Sequence, residues 1–65
     1  MNNIKEFREK ASMSQEELAK TLVISQQAVA KWEAGEAMPR ADKLPELAKI
    51  LGCTIDDLFG NAVNE

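Results

Sequence analysis

The side chains best suited to specific hydrogen bonding are concentrated in one short segment, residues 26–34. With the 3.6-residue period of an α-helix, five residues fall on the face opposite Val29 and Trp32: Gln26, Gln27, Ala30, Lys31 and Ala34. A glutamine amide donates and accepts hydrogen bonds together, and a lysine donates from a positive charge. This face is therefore suited to a polar partner, and an ordinary solvated face is the alternative interpretation.

Catalytic and metal-binding chemistry lacks the residues it needs. The 65-residue chain contains no histidine and a single cysteine, Cys53. A Ser/His or Cys/His catalytic pair, a zinc ligand set and an internal disulfide are excluded by these counts. We therefore expect no enzyme, no metal and no cofactor. We also expect a reducing, cytoplasmic location, with Cys53 as a small apolar residue rather than a redox sensor.

The composition is that of a small globular domain, with 45% hydrophobic and 29% charged residues. Because the chain lacks an apolar run of about 18 residues, we predict neither a membrane span nor a secretory signal. The net charge of −3 is unevenly distributed. Residues 1–41 hold equal numbers of positive and negative side chains, so the whole excess lies in residues 42–65.

Three hydroxyl side chains stand where helices should begin. Ser14 and Thr54 are each followed three residues later by an acid, Glu17 and Asp57, which is the spacing of a capping box. Ser25 is a third predicted N-cap without the acid. Each cap is flanked by an apolar pair with the spacing of a hydrophobic staple: Met13 with Leu18, Ile24 with Val29, and Cys53 with Leu58.

The remaining helix ends have their own signals. Asn3, followed by Glu6, predicts the start of the first helix. Pro45 is tolerated only among the first positions of the fourth helix, so regular hydrogen bonding there should begin no earlier than about Asp42. Glycines that can adopt positive φ follow three apolar stripes: Gly35, Gly52 and Gly60.

These signals predict an all-α fold of five helices, over about residues 3–11, 15–22, 26–34, 42–51 and 55–59. Residues 1–60 would form one domain, and residues 61–65 a frayed C-terminal tail. Only Val23 and Ile24 separate the second helix from the cap of the third. Two short helices joined so tightly cross steeply, as in a helix-turn-helix, although an αα-hairpin of any small bundle is the alternative.

Three stretches carry a resemblance to a known family. They are Ser-Gln-Glu-Glu-Leu-Ala at 14–19, Ile-Ser-Gln-Gln-Ala-Val-Ala-Lys-Trp-Glu at 24–33 with the following Gly35 and Pro39, and Leu-Ala-Lys-Ile-Leu-Gly-Cys-Thr-Ile-Asp-Asp-Leu-Phe at 47–59. Together they resemble the Cro/C1-type (XRE) helix-turn-helix domain of phage-type repressors, over roughly residues 3–60. The resemblance implies a five-helix, lambda-repressor-like fold and a sequence-specific, DNA-binding transcriptional regulator, expected to act as a repressor.

The resemblance also implies how DNA would be read. The helix over 26–34 would lie in the major groove, and its exposed face would meet base edges. Glutamine suits this role because its amide pairs with adenine N6 and N7. We predict Gln27 as the first base reader and Gln26 as the second, with Lys31 at a guanine or a phosphate and Ala30 at a thymine methyl group.

Other residues match family positions outside the reading face. Gln15 corresponds to a phosphate-binding glutamine at the start of the second helix. Ser25 and Arg40 are further candidates for the DNA backbone, although capping is the firmer role for Ser25 and solvation the alternative for Arg40. Arg8 and Glu33 match a structural ion pair between the first helix and the end of the reading helix. The sole tryptophan faces inward and is expected in the core rather than stacked on a base.

Three positions depart from the family pattern. Val23 and Ser12 stand where glycine is frequent, and a β-branched residue at positive φ is strained. The turn at Val23 therefore either avoids positive φ or stores about 1 kcal/mol or more. Glu36 replaces a frequent cation, and a carboxylate near phosphate would weaken binding by this loop.

The expected partner is double-stranded DNA with a pseudo-palindromic operator, bound by a homodimer whose half-sites lie about 34 Å apart. A small domain with few cations makes few phosphate contacts, so each half-site alone should bind weakly. The last helix and Phe59 are the predicted dimer surface. The alternative function is a repressor-like module that binds protein, such as an antitoxin or anti-repressor component, and it is favoured by Glu36 and the acidic charge balance.

Overall fold

The computed structural model describes residues 2–59, which form five α-helices. The helices are α1 (Ile4–Lys10), α2 (Gln15–Leu22), α3 (Gln26–Ala34), α4 (Leu44–Leu51) and α5 (Ile55–Phe59), and a 3₁₀ turn over Ala41–Lys43 leads into α4. Residues 2–59 contain no strand. The predicted all-α fold is confirmed. The predicted glycine stop at Gly60 and the predicted tail over 61–65 lie outside the described residues.

The N-caps of three helices form as their sequences predict. The Ser14 hydroxyl accepts the N–H of Glu17 and the Glu17 carboxylate accepts the N–H of Ser14, which completes a capping box. Thr54 and Asp57 make the same reciprocal pair. Ser25 Oγ accepts the N–H of residue 28 at 3.1 Å. Each cap satisfies helix N–H groups that would otherwise lack a partner.

The first helix begins directly after Asn3, as the sequence predicts, although the capping box that its spacing suggests does not form. The Asn3 side chain makes no cap hydrogen bond, and Glu6 completes no box. The oxygen Oδ1 of Asn2 instead accepts the N–H of Ile4 at 3.1 Å. Asn3 Nδ2 donates to the carbonyl of Asp57 at 2.9 Å, and the Asn3 N–H donates to the same C-terminal helix. A tertiary partner on α5 therefore outcompetes the local cap.

Every helix contributes one completely buried side chain to a single apolar core: Ile4, Leu18, Val29, Leu47 and Leu58. Trp32 is also buried, as its inward position predicts. The members of the three predicted staples all lie in this core or pack against it. Burying an aliphatic side chain of this size contributes about 1.5–3 kcal/mol, so one core holds all five helices in place.

The fourth helix begins as its proline requires, because Pro45 lies in the first turn of α4, where its missing N–H leaves no hydrogen bond unmade. The C-terminal glycines Gly35 and Gly52 have φ of 79° and 69°, as predicted. None of the helices within residues 2–59 has the length and apolar character needed to cross a membrane.

The turn between α2 and α3 adopts the strained alternative. Val23 has φ 60° and ψ 48°, in the left-handed region, and Ser12 also has a positive φ of 59°. The N–H of Val23 donates to Lys20 and the N–H of Ile24 donates to Ala19, the two hydrogen bonds of a Schellman motif. This motif requires its penultimate residue to be left-handed, so the hydrogen bonds hold a β-branched residue where glycine would be unstrained.

Candidate nucleic-acid interface

The second and third helices pack directly on each other across this turn. Ala19, on α2, is 3% exposed and is small enough to let two helices approach closely. Val29 and Trp32 bury the inner face of α3 in the core. Because the inner face of α3 is fixed in this way, its opposite face is held outward.

The predicted reading face of α3 is at the surface. Gln26, Gln27 and Lys31 are exposed, and Ala30 is half-buried between them and the core. Two amides, an ammonium group and a short methyl side chain are thus presented from consecutive turns of one helix. This arrangement can donate hydrogen bonds, accept hydrogen bonds and contact an apolar group.

The two glutamines at the starts of α2 and α3 lie beside each other. Gln26 Nε2 is 3.5 Å from Gln15 Oε1, a long and weak hydrogen bond. Gln15 Nε2 in turn donates to Glu33 Oε1 at 2.9 Å. Gln15 is half-buried, whereas Gln26 is exposed. The first residue of α3 is therefore linked through the first residue of α2 to the last turn of α3.

The Arg8–Glu33 contact is a buried ion pair between α1 and α3. Arg8 Nε lies 2.6 Å from Glu33 Oε2, and Arg8 Nη2 lies 3.3 Å from Glu33 Oε1. The remaining guanidinium nitrogen donates to the carbonyl of Met13 at 2.7 Å. The side chains are 10% and 6% exposed. Geometry of this kind satisfies both charges and fixes the orientation of the Glu33 carboxylate.

The electrostatics of the pair follow from this geometry. Burial acts to raise the pKa of Glu33, but hydrogen bonds from Arg8 and Gln15, together with the charges of Arg8 and Lys5, outweigh it and lower the pKa. The hydrogen bond to Glu33 raises the pKa of Arg8 despite its burial. Both groups are therefore charged at neutral pH.

The other predicted backbone contacts stand apart from this network. Ser25 is exposed, and its hydroxyl caps α3. Arg40 lies in the loop after α3 with its side chain 88% exposed, and its Nε is 3.9 Å from Asp42 Oδ1. Because this ion pair is open to solvent, it holds the arginine only weakly. Glu36 is exposed in the same loop. The structure thus brings together Arg8, Glu33, Gln15 and Gln26, and leaves Arg40 outside their contacts.

Two further side chains position the two helices, and sequence reasoning missed both. Asn2 Nδ2 donates to the carbonyl of Trp32 at 2.7 Å, near the end of α3. Lys43 Nζ donates to the carbonyl of Leu22 at 3.1 Å, at the end of α2. A lysine there also complements the negative end of the helix dipole. Each partner is more than 20 positions away along the chain, so no local pattern signals the contact.

The described residues contain no cluster of three or more metal-ligating side chains. The single thiol, that of Cys53, is also not activated as a nucleophile. Burial, and then the charge of Asp57, raise the pKa of Cys53. A raised pKa leaves less thiolate at neutral pH, which is the opposite of what a reactive cysteine needs.

Comparison with known proteins matches the chain to helix-turn-helix regulators. The model of the helix-turn-helix family matches residues 4–58. The chain is 44% identical over 48 residues to the 26 kDa repressor protein of Escherichia phage HK022, which covers 74% of this chain and 20% of that protein. It is 34% identical over 56 residues to the HTH-type transcriptional activator BcrR of Enterococcus faecalis, covering 86% of this chain and 28% of that protein.

A shorter relative aligns along most of its own length. The chain is 36% identical over 56 residues to an uncharacterized HTH-type transcriptional regulator of Archaeoglobus fulgidus, covering 86% of this chain and 79% of that protein. By contrast, the chain spans less than a third of the length of the phage repressor and of BcrR. The similarity to these two is thus confined to one part of each.

Proposed function

The chain belongs to the Cro/C1-type helix-turn-helix family, and from this premise we propose that it binds DNA as a transcriptional regulator and reads the major groove with α3. The observation that carries the proposal is the outward face of α3, where exposed amides stand beside the start of α2 on a rigidly packed pair of helices. In a helix-turn-helix the second helix enters the groove and the first crosses the backbone.

Base reading is assigned to four residues of α3. Gln27 and Gln26 can each pair with adenine through one donor and one acceptor. Lys31 lies one turn farther along and can reach guanine or phosphate, and the methyl group of Ala30 can contact a thymine methyl. The exposure of the three polar side chains supports this assignment.

Backbone contacts are assigned to Gln15, Ser25 and Arg40. Gln15 stands at the N-terminus of α2, where N–H groups and the helix dipole favour an anion. Ser25 is the N-cap of α3, one position before its first residue, and its hydroxyl is already committed to the cap. The high exposure of Arg40 leaves it able to reach phosphate, while the exposed carboxylate of Glu36 opposes contact by that loop.

Binding as a homodimer to a pseudo-palindromic operator follows from the weakness of one domain. The chain carries eight Lys and Arg residues against eleven acids, so each half-site gains little from phosphate contacts. In a homodimer the two domains would bind two half-sites about 34 Å apart, and both would contribute to the binding free energy. The last helix and Phe59, which is half-buried against the core, remain the proposed dimer surface. Repression would follow from an operator that overlaps a promoter.

A protein-binding module, such as an antitoxin or anti-repressor component, is the second candidate. The acidic excess of residues 42–65 and the exposed Glu36 favour it. The two candidates differ in what α3 contacts, because an antitoxin surface need not present the reading face to a groove. Whether the protein binds duplex DNA through α3 therefore distinguishes the two candidates.

The test is selection of bound duplexes from a random library at low salt, followed by sequencing and quantitative gel shift. A DNA regulator enriches a sequence with two related half-sites and binds it with an affinity that falls steeply as salt rises. Replacing Gln26 and Gln27 together by alanine should abolish the enrichment. Replacing Lys49, an exposed lysine on α4, is the matched control and should leave it intact. Failure to enrich any duplex would reject the proposal in favour of the protein-binding module.

A further inference from the structure

We propose that Glu33 is a positioning residue for DNA specificity, which fixes the direction of the Gln26 amide by way of Gln15. The inference rests on the proposed reading of DNA by α3 and goes further, because it names what makes one base preferred over the others. Glu33 itself lies in the last turn of α3 with its side chain 6% exposed, so it acts through its neighbours.

The Glu33 carboxylate is fixed in both its chemistry and its orientation. An ionised carboxylate only accepts hydrogen bonds. Arg8 holds one oxygen at 2.6 Å and approaches the other at 3.3 Å, so the group can neither rotate nor turn away. Its Oε1 presents a lone pair toward α2, and only a donor can occupy that place.

The Glu33 carboxylate determines the direction of the Gln15 amide. Gln15 must place its Nε2 against Glu33 Oε1, where the two atoms are 2.9 Å apart. An amide that turns its nitrogen to one side turns its oxygen to the other. Gln15 Oε1 therefore faces away from Glu33, and Gln26 Nε2 is the atom that approaches it, at 3.5 Å.

The direction of the Gln15 amide determines which hydrogen-bonding groups Gln26 can present to a base. One N–H of Gln26 points at Gln15, which leaves a second N–H and the oxygen Oε1 for a base. Adenine offers an acceptor at N7 and a donor at N6 in the major groove, which matches this pair, whereas guanine offers two acceptors. An amide held in the reverse orientation would lose this discrimination, because it would set an acceptor against N7 and a donor against N6.

The magnitude is set by one bidentate contact. A well-oriented side chain discriminates the correct base by about 1–3 kcal/mol, which corresponds to a preference of about 5- to 150-fold. We therefore expect the wild-type protein to prefer adenine by at least about fivefold at the position read by Gln26. That position is identified as the one where the Gln26→Ala variant loses its preference.

The test is the Glu33→Gln variant, which keeps the shape of the side chain. Its amide oxygen is held by Arg8 Nε, so a nitrogen replaces the oxygen that Gln15 faces, and the Gln15 amide must turn over. In competition among duplexes that differ at this position, the adenine preference should fall below about twofold. Replacing adenine by 7-deazaadenine, which lacks the N7 acceptor, should weaken the wild type and leave the variant nearly unaffected.

Two further variants separate positioning from charge and from folding. Glu16→Gln removes the same charge from an exposed carboxylate beside Gln15, and should keep the adenine preference. If Glu33→Gln melts below the assay temperature, Arg8→Met combined with Glu33→Leu replaces it, because apolar substitution of a buried ion pair is often neutral or stabilising. In that folded double variant the Gln15 amide is free to turn, so the adenine preference should be weaker than that of the wild type.

These experiments separate a failure of the Glu33 role from a failure of the proposed DNA binding. If the wild type enriches no duplex, the proposed function fails and the role of Glu33 fails with it. If the wild type reads adenine and a folded variant without the Glu33 carboxylate keeps the same preference, DNA reading stands and the positioning role is overturned. A uniform loss of affinity on all duplexes, with the preference intact, also overturns it.

Discussion

Replacing Val23 by glycine is expected to stabilise the domain. Val23 lies at φ 60° and ψ 48°, held there by the two hydrogen bonds that close α2. A residue with a β-carbon in this region clashes with the neighbouring carbonyl, at a cost of about 1–2 kcal/mol. Glycine has no β-carbon and adopts the same backbone without the clash.

The net gain is the difference between two terms. The Val23 side chain is 87% exposed, so its removal sacrifices little packing. Glycine raises the entropy of the unfolded chain and thereby costs about 0.4–1 kcal/mol. The free energy of unfolding should therefore rise by about 0.5–1 kcal/mol. For a domain of this size, that corresponds to an increase in Tm of roughly 2–8 °C.

Thermal melts followed by circular dichroism, with urea titrations at 25 °C, measure the effect. The matched control is Val23→Ala, which removes the branched side chain and keeps the β-carbon in the left-handed conformation. The expected order of stability places glycine above alanine. If Val23→Ala proves more stable than Val23→Gly, backbone entropy dominates and the strain argument is refuted.

Three further results are expected. Gln27→Ala should cost about 1–3 kcal/mol at one base position in duplex competition, and an equal loss on all sequences would make Gln27 a backbone contact. Lys31→Ala should reduce the slope of the logarithm of the binding constant against the logarithm of the salt concentration by about one, and the control Lys49→Ala should leave this slope unchanged. If Lys31→Ala also leaves the slope unchanged, Lys31 does not contact phosphate. Burial acts to raise the pKa of Glu33, but Arg8 and the other partners lower it by more, so the pKa is lower in the folded state. The carboxylate therefore stabilises the fold at pH values above its unfolded pKa of about 4.3. This stabilisation disappears as the pH falls through the lower folded pKa. Urea midpoints between pH 7 and pH 3 should thus fall more for the wild type than for Glu33→Gln, and parallel curves would contradict this.

The elements that the sequence predicts well are those whose signals are local. A capping box needs only residues three apart, as with Ser14 and Glu17, and both hydrogen bonds form. The positive φ of Gly35 likewise depends on its own missing side chain and on the helix before it. For this reason the five helices have nearly the predicted boundaries, and α2, α3 and α5 match theirs.

The failures lie where a distant partner competes with a local one. Asn3 has the spacing of a cap, yet its amide donates to Asp57, 54 positions away. Lys43 carries no sequence sign that it will reach the end of α2. The turn at Val23 shows a third case, because residue type alone left two conformations open. The hydrogen bonds that close α2 select the strained one.

The candidate site combines both kinds of information. Helical periodicity places Gln26 on the outward face, and that much is local. The contact of Gln26 with Gln15 depends on how α2 crosses α3, and the contact of Gln15 with Glu33 depends on the same crossing. Sequence patterns could name each of these residues, but the order in which they are linked required the packed structure.

The link has a consequence for how specificity would be transferred between domains of this kind. If the direction of the Gln26 amide is set through Gln15 and Glu33, the outward residues of α3 are an incomplete description of what the domain reads. Moving those residues onto another helix-turn-helix domain would transfer the amide without the contacts that orient it. A graft that also carries the glutamine at the start of α2, and a carboxylate held by an arginine of α1, keeps the donor and acceptor in order. Base preference would therefore belong to three packed helices, although a single helix enters the groove.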